Sequence, residues 1–309
     1  MTDRGPIVCA TDLSPSGAEA VEIAARIANA TGAPLQLVHV GGGEPPESGE
    51  PVTEAERVYR ERLAMRHQAA SNALEKERER ASGFGPPTTA QLLDGRTWEA
   101  VVDHAEHSSA SLLVVGPHGH AGPRSSTRRD LSEWIVGSTA DRIVRHAPCP
   151  VLVGPRGEAH AAPLAGGTWL VAVDFSDPSR AALQLAMDMA KACEAKLVAL
   201  HVTHDPIMRL DPAGEEEPFP PLDEVAQEMA QRKRSELIGL VKGELGQPIE
   251  VKVVVGDPAH EIAAHAKEVD ARLIVIGTHG RTGIVRFLLG STAESVLRLS
   301  PVPVLCVRA

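Results

Sequence analysis

LIVIGTHGRTGIVRFLLGSTAES, residues 273–295, carries an apolar run into a glycine-spaced loop and out again through Gly-Ser-Thr. Gly277 and Gly280 are separated by two residues and Gly280 and Gly290 by nine, with Ser291 and Thr292 following. Glycines let a backbone approach a bound anion, and the Gly-Ser-Thr opens a helix whose first amides have no partner within it. With a partial charge of roughly +0.5 at that helix end, these amides form a seat for phosphates. The hydroxyls of Ser291 and Thr292 add donors, and Arg281 supplies a cation for a β- or γ-phosphate. The plainer alternative, glycines that only build turns with Ser291 as a helix cap, explains each residue singly. It does not explain three glycines at this spacing between a buried strand and a helix.

Working outward, the motif has a counterpart. Gly116 aligns with Gly277, Gly119 with Gly280, and Gly137-Ser138-Thr139 with Gly290-Ser291-Thr292. Residues 5–40 align without a gap on 167–202, matching Asp12 with Asp174, Ser14 with Ser176, and His39-Val40 with His201-Val202. Gly95 matches Gly256 and His104 matches His265, in the same order in both halves. The chain is therefore a duplication. Its 309 residues, 43% of them hydrophobic, suffice for two domains of about 150 residues, each with its own core. The expected domains are 1–154 and 168–309, joined by a Gly-, Pro- and Ala-rich linker at 155–167.

Each half alternates strands and helices. Short apolar runs at 6–11, 35–40, 111–116 and 150–154, and at 168–173, 196–202, 272–277 and 303–308, read as strands buried on both faces. A further strand is expected at 87–93 and again at 248–255. Ala20, Ile23, Ala24 and Ile27, and their partners Ala182, Leu185, Ala186 and Met189, mark one apolar helix stripe in each copy. Ser14 and Ser176 are placed to cap those helices. Residues 41–54 and 203–221 read as loops, and the Arg- and Glu-rich 54–81 as a solvated helix face. The expected architecture is α/β: two tandem doubly wound parallel five-stranded sheets flanked by helices. Ligands of such sheets sit outside the carboxyl ends of the strands, where the winding reverses.

On these motifs nearly the whole chain resembles a tandem universal stress protein. The resemblance implies a Rossmann-like fold of the adenine nucleotide alpha hydrolase type. It also implies ATP, or ADP or AMP, as ligand, with or without Mg. Asp174 would then hold the ribose or base edge, and backbone near Ala172, Val173 and Val202 would meet the adenine; Asp12 and Val40 are the first-half counterparts. The resemblance further implies that the halves pair within the chain about a pseudo-twofold axis through CPVLVG and VPVLCV, whose apolar edges need cover, and it allows a homodimer. The first half departs from the family spacing. HAGPRSSTRRDLSEWIV fills the interval between Gly119 and Gly137, eight residues longer than in the second half. Its Arg124, Arg128 and Arg129 either join a lid over the phosphate seat or add cations to it.

A net charge of −10 argues against a nucleic-acid duplex or an anionic membrane as partner. No run of 18 apolar residues occurs, and the amino-terminal residues do not read as a signal peptide, so a cytoplasmic protein is expected. Cys9, Cys149, Cys193 and Cys306 are scattered and read as buried thiols. His260, Glu261 and His265 invite a zinc reading, but histidines five apart point about 140° apart around a helix, so no metal is assigned. His118 and His279 recur in the glycine loops, as nucleotide contacts or as exposed loop residues. Neither a Gly-Lys-Ser/Thr phosphate loop nor a G-x-S-x-G elbow is present, and no catalytic residue is assigned. Three readings stay open: an ATP-binding stress or signalling protein, a slow ATP hydrolase with only Asp174 or His279 to activate water, and a nucleotide-independent dimerising scaffold.

Overall fold

A computed structural model of the chain describes residues 5–41, 53–117, 137–155, 164–203, 222–245, 249–279 and 289–308. The chain divides into two compact units, Met1–Ala161 and Ala162–Ala309. In the first unit β1 (Ile7–Ala10), α1 (Pro15–Thr31), β2 (Leu35–Val40), α2 (Glu54–Ser82), β3 (Thr88–Leu93), α3 (Thr97–His107), β4 (Leu112–Val115), α4 (Ser138–His146) and β5 (Val151–Val153) follow in turn. The second unit repeats the series as β6 (Thr168–Ala172), α5 (Asp177–Ala192), β7 (Lys196–Thr203), α6 (Leu222–Leu245), β8 (Glu250–Val255), α7 (Pro258–Glu268), β9 (Ala271–Gly277), α8 (Ser291–Leu299) and β10 (Val304–Val307).

Within each unit the strands run parallel, in the orders β3-β2-β1-β4-β5 and β10-β9-β6-β7-β8. The central strands are apolar throughout because helices cover both faces: β4 reads LLVV and all four residues are buried. β3 and β8, each at an edge of its own unit's sheet, are only partly buried. Leu35, Leu37, Leu113 and Leu152 fill one core, and Trp169, Leu170, Leu200 and Leu273 the other. Each such side chain contributes about 1.5–3 kcal/mol relative to exposure. Trp169 can be buried because its Nε1–H donates to the Leu164 carbonyl at 2.9 Å.

The α1 stripe is Ala20, Val21, Ile23, Ala24, Ala25, Ile27 and Ala28, as the pattern required. On α5 the buried face is rotated slightly from the expected one. Leu183 takes the core position with Ala182, Ala186 and Met189, while Leu185 is only partly covered. Apolar residues at 182, 183, 185 and 186 satisfy a helical period in two phases, and packing against the sheet selects one of them. In both units the chain winds outward from the first strand through the second and third, then crosses to its other side. That reversal places the carboxyl ends of β1 and β4, and of β6 and β9, side by side.

Candidate functional site

Strand β6 ends at Ala172, and Val173 follows, both buried. The chain turns sharply through Asp174-Phe175-Ser176, with Phe175 in the left-handed region at φ 66°. Asp174 Oδ1 accepts the Ser176 N–H at 3.0 Å and the Ser176 hydroxyl. Ser176 in turn caps α5 by accepting the Ser179 N–H at 3.3 Å. The first unit repeats the turn. Leu13 has φ 63°, Asp12 Oδ1 accepts the Ser14 N–H at 3.0 Å and the Ser14 hydroxyl, and Ser14 caps α1 through the Gly17 N–H at 3.1 Å. Non-glycine residues at such φ are strained by about 1–2 kcal/mol, and residues held this way gather at functional sites. Here the strain orients a carboxylate at the strand end. For Asp174 the two accepted hydrogen bonds leave part of the capacity of a carboxylate, about four lone-pair sites, for a ligand hydroxyl.

Beside this turn, His201 on β7 is buried and its Nδ1 lies 2.7 Å from the Val173 carbonyl oxygen. A carbonyl only accepts, so Nδ1 carries the proton. In a ladder continued by one step, the Val202 N–H would donate to that carbonyl; the imidazole donates instead. The Val173 N–H reaches the Leu200 carbonyl at 2.8 Å on the β6 side, and the Thr203 carbonyl accepts from Gly256 on the β8 side at 3.0 Å. Alternation along the strand therefore turns the N–H and C=O of Val202 toward the space beyond the end of β6. His39 does the same at 2.8 Å from the Thr11 carbonyl, and Val40 is turned likewise. These histidines are positioning residues that the sequence marked only as repeated letters.

The third component is the start of α8. Gly277 closes β9 where a Cβ would lie 2.8 Å from Pro178 C and 2.9 Å from Ser179 N, so only glycine permits this approach to the start of α5. Beyond it, the Gly290 N–H donates to the Thr278 carbonyl at 2.8 Å, which fastens the start of α8 to the end of β9. That amide is thus engaged within the chain. The first bond inside the helix is Glu294 N–H to Gly290 C=O at 3.0 Å, so the amides of Ser291, Thr292 and Ala293 precede the ladder. The N-cap residue is Gly290, and no side-chain oxygen caps this end. Ser291 is exposed and Thr292 half-buried. Glu294, the acidic residue of the first turn, faces Arg298 at 3.7 Å.

In the first unit Gly116 follows β4, the Gly137 N–H donates to the Pro117 carbonyl at 3.0 Å, and Ser138 and Thr139 open α4 without a side-chain cap. α1, α2, α5 and α7 each use a Ser, Thr or Asp oxygen on a first-turn amide, whereas α3, α4 and α8 have no side-chain cap, and of these α4 and α8 start at the carboxyl ends of the strands where the winding reverses. Across the switch point of the second unit, the Ser176 hydroxyl lies 3.4 Å from the His279 carbonyl, so the Asp174 turn and the glycine loop meet. Gly119, Gly280, Arg281 and His118 lie outside the described residues. His260 is turned to Asp257 at 2.8 Å, whereas His265 Nδ1 is 2.9 Å from the Glu261 carbonyl.

The four thiols are free, and three of them are buried. Burial pushes Cys193 up to about 11 and Cys149 and Cys306 to about 12, and raises Cys9 as well. Reactive cysteine chemistry needs the opposite shift.

Fold and site together define a duplicated doubly wound α/β protein, with an uncapped helix start and an oriented carboxylate at each switch point. The chain belongs to the universal stress protein family, whose model matches residues 4–155 and 168–308. A universal stress protein of Mycobacterium tuberculosis (strain H37Rv) is 29% identical over 308 residues, covering 98% of this chain and 96% of its own. One of Bacillus subtilis is 37% identical over 143 residues, 45% of this chain and 97% of its own length, so a single unit makes up that protein. Among solved structures, a universal stress protein from Archaeoglobus fulgidus covers 98% of both chains with a TM-score of 0.64 at 19% identity, a likeness of fold.

Proposed function

We propose that the second unit binds an adenine nucleotide, ATP foremost, and that the chain is a nucleotide-dependent stress-response or signalling protein of the cytoplasm. The uncapped start of α8 carries this reading. Three amides that precede the helical ladder, a helix dipole and the hydroxyl-bearing residues Ser291 and Thr292 lie at the helix start beside the point where the sheet reverses, and their chemistry suits phosphate oxygens. Asp174 suits a ribose hydroxyl, and the Val202 peptide edge offers a donor and an acceptor to the rim of a purine. Magnesium would be held mainly by phosphate oxygens and water, as it commonly is. In the first unit, Asp12, Val40, Gly137, Ser138 and Thr139 offer a comparable set.

Calorimetric titration of the full chain with ATP, ADP and AMP tests the reading, together with identification of any nucleotide released when the purified protein is denatured. A bound nucleotide at about 100 times its Kd would raise stability by about 2.7 kcal/mol. No heat, no thermal stabilisation and no copurifying nucleotide would refute it, and the stoichiometry shows whether one unit or both take part.

A further inference from the structure

Phe175, the residue after Asp174, is buried in the second unit although its backbone sits in the left-handed region at φ 66°. A bulky side chain keeps that conformation only where its surroundings hold it there. Two contacts grip the ring. From β7, the His201 ring lies 4.8 Å from the Phe175 ring, centroid to centroid, tilted by 54°. From α6, Lys233 Nζ lies over the same ring, 4.7 Å from its centroid. The face of an aromatic ring is negative, and an ammonium within about 6 Å of the centroid is attracted to it.

Glu236 fixes the other side of this ammonium. Its carboxylate accepts from Lys233 Nζ at 2.7 Å, one turn along α6. The Lys233 side chain is 27% exposed, so the ring and the carboxylate have replaced part of its water, which strengthens a cation–π contact. The adjacent Arg232 behaves differently: it is exposed and paired with Glu228 at 2.9 Å.

The first unit lacks both partners. It turns through Asp12-Leu13-Ser14, with Leu13 at φ 63° where the second unit has Phe175. Counting back from the covered leucine of each long helix, Leu237 on α6 and Leu74 on α2, Lys233 corresponds to Ala70, which lines the same hollow as His39. We infer, on the nucleotide reading of the second-unit site, that Lys233 is a positioning residue there: resting on the Phe175 ring, it holds the turn that presents Asp174 to a ribose hydroxyl. Lys233 acts through Phe175, and a carboxylate held in place before the ligand arrives loses less freedom on binding. The second unit thus owes part of its grip to α6, by a contact the first unit cannot make.

Two measurements on the full chain test it: NMR hydrogen exchange of the Ser176 amide without ligand, and calorimetric titration with ATP. The Ser176 N–H donates to Asp174 Oδ1 and so reports the turn directly, and the Ser14 amide of the first unit serves as internal reference. Lys233→Gln should speed Ser176 exchange roughly three- to tenfold, leave Ser14 unchanged and weaken ATP binding by a similar factor. Lys233→Arg, which keeps the cation, should restore both, and Arg232→Gln, which removes a charge from the next residue, should change neither by more than about twofold. Phe175→Leu installs the first-unit residue, and in that background Lys233→Gln should add no more than about twofold. Unchanged Ser176 exchange in Lys233→Gln, unchanged ATP affinity in it, equal losses in Lys233→Arg, or additive losses in the double variant would each overturn the assignment. A parent chain that takes up no ATP would refute the nucleotide reading instead, and Ser176 exchange would then decide by itself whether Lys233 holds the turn.

Discussion

Replacing Ser291 by proline separates phosphate capture from helix stability. Ser291 is the first residue of α8, a position where proline is favoured because its missing N–H has no helical partner there. Proline also demands an extended residue before it, and Gly290 already has φ −62° and ψ 147°. Ser291→Pro therefore removes one of the three amides ahead of the helical ladder, together with the hydroxyl, at little cost to the fold. If both groups bond phosphate, each charge-assisted bond is worth about 1.5–3 kcal/mol, and the pair about 3–6 kcal/mol. ATP affinity should fall by at least about a hundredfold. Ser291→Ala, which keeps the amide, should lose about a tenfold factor or more. Calorimetric ATP titration with guanidinium unfolding of the same samples reads both quantities. If Ser291→Pro bound ATP like the parent with an unchanged unfolding midpoint, phosphates would not rest on the start of α8, and the central assignment would be wrong.

Other expectations concern the scaffold around the site. Gly277→Ala places a Cβ against Pro178 and Ser179 backbone, so a clash of about 1–3 kcal/mol outweighs an unfolded-state gain of about 0.4–1 kcal/mol; Gly239→Ala, with nothing within 4 Å, should stabilise instead. Denaturant midpoints that shift the same way in both variants would contradict this close approach. His201→Phe removes the donor to the Val173 carbonyl and should cost about 1–3 kcal/mol, seen as a lower unfolding midpoint, and should weaken ATP binding because the strand end loosens beside Val202. Thiol titration at pH 8 should find no fast-reacting cysteine until the protein is denatured, when four become reactive. A burst of labelling in the native state would refute it. Burial, helped by the nearby His107, lowers the His104 pKa below its ordinary 6.5. The fold thus favours the neutral ring, and its stability contribution, full above the unfolded pKa, is lost as pH falls from about 6.5 through the folded value. An NMR titration placing His104 above 6.5 would reverse that sign.

The sequence alone determined the duplication, the parallel sheets and the candidate anion seat. Each rests on local chemistry that a linear chain displays: apolar runs of strand length, a glycine spacing, and Ser-Thr at a helix opening. The caps on α1 and α5 were legible for the same reason, since Ser14 and Ser176 act on amides three residues away. Contacts between segments far apart in sequence were decided by the tertiary structure. His201 replaces Val202 as donor to Val173 only because β7 outruns β6 at the site. The close approach of Gly277 to Pro178 joins residues about a hundred positions apart. Gly290 gives its amide to Thr278, a bond across twelve positions that joins the start of α8 to the end of β9. The Arg- and Glu-rich 54–81 read as a solvated helix face, and on α2 only Leu74 and Ala81 are buried. Local propensity and spacing are fixed along the chain, whereas which partner satisfies a given donor depends on where the sheet brings distant backbone together.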